Sequence, residues 1–143
     1  MVLSRALIVQ AWEWFHSLGM PKFWVAPMVD QSELAFRQLC MRHGTTAAYT
    51  PMLHSRLFCE TASYRAEHFT TCEMDRPLLA QFCANDPETF VRAARYVEHA
   101  VDGVDLNLGC PQRIASRGRY GGCLAHGASP VWLATRGCPL PAC

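Results

Sequence analysis

Cys110 stands at the end of Val104-Asp105-Leu106-Asn107-Leu108-Gly109-Cys110-Pro111, where an apolar run gives way to a glycine, a thiol and a proline. Val104, Leu106 and Leu108 alternate with Asp105 and Asn107, the spacing of a short strand, and Gly109 with Pro111 ends it. The thiol is thereby placed just past a strand's carboxyl end. In parallel α/β folds reactive side chains collect there, because the strand fixes their position while the loop leaves them accessible. A structural cysteine, the commoner kind, would lie inside the apolar run and not beyond it. Gln81, in Leu78-Leu79-Ala80-Gln81-Phe82-Cys83-Ala84, is a second candidate. A buried amide needs a partner, which a neighbouring loop or a ligand edge with donors and acceptors would supply. Asn107 reads as a turn former at a strand end or as an inward hydrogen-bonding group.

These residues need a scaffold, and the pattern around them supplies one. Strands are expected over 23–28, 46–50, 78–84 and 103–108, separated by helical spacing. An amphipathic packing helix over 3–18 precedes them, closed by Gly19 and Pro21. Asp30 with Glu33 three places on predicts a capping box for a helix over 32–42, stopped by Gly44. A weaker helical signal covers 55–69. Asn85-Asp86-Pro87-Glu88 is a strong helix start, followed at helical spacing by Phe90, Ala94, Val97 and Val101. Strands alternating with helices predict an α/β fold of four parallel βα units.

Bulk properties bound the class. A chain of 143 residues, 50% hydrophobic and 17% charged, is globular and has room for one core. It is about half of the roughly 250 residues of an eightfold α/β barrel. A net charge of +1 gives no strong attraction to nucleic acid or membrane, and Lys22 is the sole lysine. The 8 cysteines are scattered without a C-x-x-C pair, so no zinc or iron–sulfur site is expected. They read as reduced thiols of an intracellular protein, cytoplasmic or nuclear. The apolar run over 6–9 is too short for a signal peptide, Trp12-Glu13-Trp14 replaces a small-residue cleavage site, and no stretch approaches a membrane span. Gly118, Gly121 and Gly122 fit no nucleotide-binding fingerprint.

Three blocks, in order, carry a more specific signal. Asn107-Leu108-Gly109-Cys110-Pro111-Gln112 followed by Gly118-Arg119-Tyr120-Gly121 resembles the signature of the tRNA-dihydrouridine synthases, in particular the 16/17 type. Phe23-Trp24-Val25-Ala26-Pro27-Met28-Val29-Asp30-Gln31-Ser32-Glu33-Leu34 resembles the family's first strand and turn, and Gln81-Phe82-Cys83-Ala84-Asn85-Asp86-Pro87 its third. Cys123 stands where a small residue such as alanine is usual.

The resemblance covers 12–124 and implies the first four units of an eight-unit (β/α) TIM-type barrel. Three parts follow: a lead-in helix over 1–22, a half barrel over 23–126 and a non-homologous tail over 127–143. The implied reaction reduces the 5,6 bond of uridine in the tRNA D-loop. Reduced FMN, itself reduced by NADPH, gives the hydride, and Cys110 gives the proton. Asn107 would bind the base, and Pro27, Met28 and Val29 would underlie the flavin while Gln81 meets its pyrimidine edge. Asp30 is expected as a helix cap, and His54, in Thr50-Pro51-Met52-Leu53-His54, at the pocket rim. The family's flavin-contacting lysine, its later histidine, the phosphate-gripping loops and the basic helical domain that holds tRNA have no match here. An inactive half-barrel or interaction piece is therefore the alternative. A dihydroorotate dehydrogenase relative is disfavoured by the Gly109-Cys110-Pro111 context and the Met28–Gln31 turn.

Overall fold

The computed structural model describes residues 5–110 and 112–125. The expected tail over 127–143, and Pro111 of the cysteine motif, lie outside them. The elements in order are α1 (Arg5–Ser17), β1 (Trp24–Val25), α2 (Leu34–Arg42), β2 (Ala47–Tyr49), β3 (Leu53–His54), α3 (Ser55–Glu60), α4 (Ala62–His68), β4 (Leu78–Cys83), α5 (Pro87–Val97), β5 (Gly103–Leu106), α6 (Arg113–Gly118) and α7 (Gly122–Ala125).

All the strand pairs are parallel, as alternating βα units require. β4 is central. It pairs with β2 through Ala48↔Leu78, with β3 through Leu53↔Phe82, and with β5 through Gln81↔Asp105. Since β2 and β3 both lie along β4, they are two pieces of one barrel strand broken at Thr50-Pro51-Met52. The offset to β4 changes by one residue between them, which is a bulge, and proline there cannot donate to the ladder. Thr50 repairs the gap: its Oγ1 accepts the Gln81 N–H at 3.1 Å. Four strand positions therefore match the four expected, although the regular strands are shorter than predicted and the second is split.

One face of the sheet packs on helices. Val25, Ala48, Leu78, Ala80 and Phe82 form the core with Ala93 and Val97 of α5 and with Phe58 of α3. Phe58 and Phe82 meet edge to face at 5.3 Å. α5 starts as predicted, with Pro87 in its first turn and the Asp86 carboxylate accepting the Thr89 N–H at 2.8 Å. The Thr89 hydroxyl, donating to the same carboxylate at 2.6 Å, and after it this N–H hold the Asp86 carboxyl below the usual carboxylate range. The helical signal over 55–69 resolves into α3 and α4, because Thr61 is extended.

The predicted capping box is absent. Glu33 is the N-cap of α2 without a side-chain cap bond, and Asp30 sits in the left-handed region at φ 60°. Ser32 explains it, since its hydroxyl bonds Met28 N–H at 2.8 Å and Met28 C=O at 3.0 Å, closing a local turn in place of a capping box. Below this turn Arg37 is buried against Asp75, with N–O distances of 2.6 to 3.1 Å, and also donates to the carbonyls of Ser32 and Thr70. This pair ties α2 to the segment that leads into β4.

The other face of the sheet carries Gln81, Asp105 and Asn107, with Gly103 at its amino end. A Cβ on Gly103 would lie 3.0 Å from the Trp14 ring, and Trp14 Nε1 donates to the Asp102 carbonyl at 2.9 Å. Trp14 thus tethers α1, the expected packing helix, near the amino ends of the strands and away from Cys110, while Ile8, Val9 and Trp12 stay exposed.

Candidate active site

Parallel strands put all their carboxyl ends on one side, and the loops that follow β1, β4 and β5 emerge there together. An open cleft of about 540 Å³ lies at that end, lined by Gln81, Asp105, Leu106, Asn107, Leu108, Gly109 and Cys110. Residue alternation explains the polar part of the lining: Val104 packs against the apolar core, leaving Asp105 and Asn107 on the side of Gln81.

These polar groups form one chain of hydrogen bonds. Gln81 Nε2 donates to Asp105 Oδ2 at 2.7 Å, and Asn107 Nδ2 donates to Gln81 Oε1 at 3.0 Å. Asn107 Oδ1 accepts the N–H groups of Gly109 at 3.1 Å and Cys110 at 3.0 Å. Gln81 is 7% exposed, so these partners, rather than water, satisfy most of its amide. The Asn107 acceptor oxygen is therefore spent on the cysteine loop. Each amide nitrogen keeps one N–H beyond these bonds, and the leftover groups suit carbonyl oxygens of a bound ring.

Cys110 is held from both sides of its backbone. Its N–H goes to Asn107, and its carbonyl accepts the Gly122 N–H at 3.0 Å. Gly121, at φ 66°, lets the returning chain come this close, since a Cβ there would lie 2.8 Å from the Cys110 Cβ and carbonyl. The thiol is half-buried, free of any disulfide, and packs beside Cys83, Ala115, Tyr120 and Met52. It is thus neither sealed in the core nor remote from the third barrel strand. Burial pushes the neighbouring Cys83 thiol up to about 11, which keeps it protonated and inert. Tyr120 meets His54 edge to face at 5.9 Å, and Asn85 Nδ2 donates to the Gly118 carbonyl at 2.9 Å, so the α6 segment is fastened back onto β3 and β4.

Gln81, Asn107 and Cys110 come together in this cleft. Pro27, Met28 and Val29 emerge at the same end after β1, with Met28 fixed by Ser32, but do not line it. His54 lies at the carboxyl end of β3, against Tyr120, where burial and the Arg56 charge lower its pKa. Two residues of the site escaped the sequence reading. Asp105 binds Gln81, and Tyr49 lies where burial, and next the Asp105 charge, raise its phenol pKa. A carboxylate two places before Asn107 on an otherwise apolar strand was the available signal. Among the described residues no three His, Cys, Asp or Glu side chains converge on a metal position, and no helix is long and apolar enough to cross a membrane.

A parallel βα array with a thiol and an amide chain at its strand ends defines the class, part of an α/β barrel, and sequence comparison gives it a family. The chain matches the dihydrouridine synthase (Dus) family over residues 24–132 and belongs to it. It is 57% identical over 110 residues to the tRNA-dihydrouridine(16/17) synthase [NAD(P)(+)]-like protein of Rattus norvegicus, covering 76% of this chain and 25% of the relative. Against the tRNA-dihydrouridine(16/17) synthase [NAD(P)(+)] of Saccharomyces cerevisiae it is 56% identical over 110 residues, 75% of this chain and 26% of that protein. A human tRNA-dihydrouridine(20a/20b) synthase [NAD(P)+]-like protein is 44% identical over 114 residues, 80% and 36% of the two chains. The chain thus spans about a quarter of the length of the first two relatives. The TIM-type barrel expected from the sequence is the fold of this family, and four of its strand positions are present here.

Proposed function

We propose that this chain supplies the proton-donating half of a tRNA-dihydrouridine synthase acting at uridines 16 and 17, with FMN as the bound cofactor and NADPH as its reductant. The observation that carries the reading is the hydrogen-bonded chain from Asp105 through Gln81 and Asn107 to the backbone of Cys110. It holds a free thiol at the rim of a cleft whose remaining polar groups suit carbonyl oxygens. A uracil ring and the pyrimidine edge of a flavin both carry such oxygens, so the residues present fit the cofactor.

Bound FMN supplies the hydride for one carbon of the uracil 5,6 bond. Cys110 supplies the proton for the other, and its thiolate is reprotonated from solvent through the open cleft. Asn107 would give its remaining N–H to a base carbonyl and Gln81 its own to the cofactor, while the Pro27–Val29 backbone, beyond the cleft lining but at the same strand ends, would lie under the flavin. Asp105 and Gly121 hold these groups in place before the substrate arrives, which lowers the cost of orienting them during the reaction. The thiol has to stay reduced, which suits the cytoplasm or nucleus.

Putting residues 24–125 of this chain in place of the matching segment of the S. cerevisiae relative tests the reading. In yeast lacking its own enzyme, the hybrid restores dihydrouridine at positions 16 and 17 of tRNA, read by mass spectrometry of nuclease fragments. A folded, flavin-coloured hybrid that leaves both uridines unreduced overturns it.

A further inference from the structure

The amide chain of the site has two ends that cannot reverse. At one end Asp105, as a carboxylate, only accepts; at the other the N–H groups of Gly109 and Cys110 only donate. The two side chains between them, Gln81 and Asn107, can each face either way in isolation. We propose that Asp105 is the positioning residue of the site: its carboxylate fixes the direction of both amides and, through them, the conformation of the Cys110 loop.

Turning Gln81 over would set its oxygen against the carboxylate and its nitrogen against the Asn107 nitrogen. Turning Asn107 over would set its nitrogen against two N–H donors. Only one arrangement satisfies every group, and Gln81 is too buried for water to rescue the others. The register Gln81↔Asp105 in adjoining strands makes this direct, since the two side chains leave the same face of the sheet side by side. Tyr49, in β2, is close enough for the Asp105 charge to add to burial in raising its phenol pKa. Among the described residues Asp105 makes no hydrogen bond to Cys110 or Gly109, so it acts at a distance of two amides.

The proposal concerns the site read above as the proton donor, but its test needs neither flavin nor tRNA. In the isotope-labelled 143-residue chain, D105N removes the acceptor-only end while keeping the shape. Exchange protection of the Gly109 and Cys110 amides falls about tenfold and iodoacetamide alkylates Cys110 faster, while Leu79 and Ala80 of β4 keep their protection. The double variant D105N/Q81E rescues both readouts to within about twofold. In it the new amide at 105 donates to the new carboxylate at 81, which accepts from Asn107 as Gln81 did. A merely space-filling role for Asp105 gives no such rescue. Unchanged protection in D105N, or a double variant as loose as the single one, overturns the proposal. Should D105N unfold the sheet, the double variant decides alone: native protection at Gly109 and Cys110 supports the lock, and its loss overturns it. An intact lock in a chain whose hybrid makes no dihydrouridine would sink the reaction reading and leave this one standing.

Discussion

The position of Cys110 is set by what grips its backbone on both sides. Gly121 is the closest of these neighbours, and Gly121→Ala would combine a left-handed φ of 66° with a Cβ 2.8 Å from Cys110. A loss of about 1–3 kcal/mol in denaturant unfolding is expected, with faster alkylation of Cys110 in the folded fraction. His54 gives a prediction in pH. Its folded pKa is lowered, first by burial and then by Arg56, so the neutral ring is the native form. The unfolded chain therefore binds the proton first, and the stability held above about pH 6.5 declines as pH falls below that value. His54→Gln should flatten this acid-side slope in a series of urea titrations, whereas an unchanged slope would remove His54 from the account. At this scale Cys110, Gln81 and Asn107 were legible, because a polar residue in an apolar run announces itself. Asp105 and Tyr49 were not, since only the register of β4 with β5 and β2 brings Asp105 opposite Gln81 and Tyr49 opposite Leu79, and register is a long-range fact.

Among the elements, the βα units were readable from period and punctuation. Asp86 with Pro87 started α5 where predicted, and Gly19 and Gly44, both at positive φ, stand just past the helices they were expected to close. The misses have local physical causes. Ser32 bonded backward to Met28 and left Asp30 in a left-handed turn, and the Thr50-Pro51-Met52 bulge cut one strand into β2 and β3. Neither event leaves a periodic trace. The Arg37–Asp75 pair was equally hidden, since its partners lie 38 residues apart and side-chain exposures are 1% and 0%. Asp75→Ala strands a buried guanidinium and should cost about 3–5 kcal/mol by chemical denaturation. The double variant R37M/D75L should recover part of that loss. A single variant within about 0.5 kcal/mol of the parent would mean that the pair does not hold α2 to the β4 approach.

For the whole molecule, the sheet has two working faces. One is dry and covered by α3 and α5; the other carries the amide chain and opens at the strand ends into the cleft of Cys110. Among the described residues the outer edges of β1 and β5 are unpaired, which is where neighbouring strands of a full barrel in this family would add. The central claim is that this half of the barrel brings the acid while the flavin brings the hydride. The most direct measurement is dihydrouridine at tRNA positions 16 and 17 made by the purified yeast hybrid carrying this chain's segment with Cys110→Ala, alongside its visible spectrum. The account predicts a flavin band equal to that of the unsubstituted hybrid and dihydrouridine reduced at least a hundredfold, the upper part of the range for losing a general acid. Dihydrouridine formed at an undiminished rate without the thiol would contradict it.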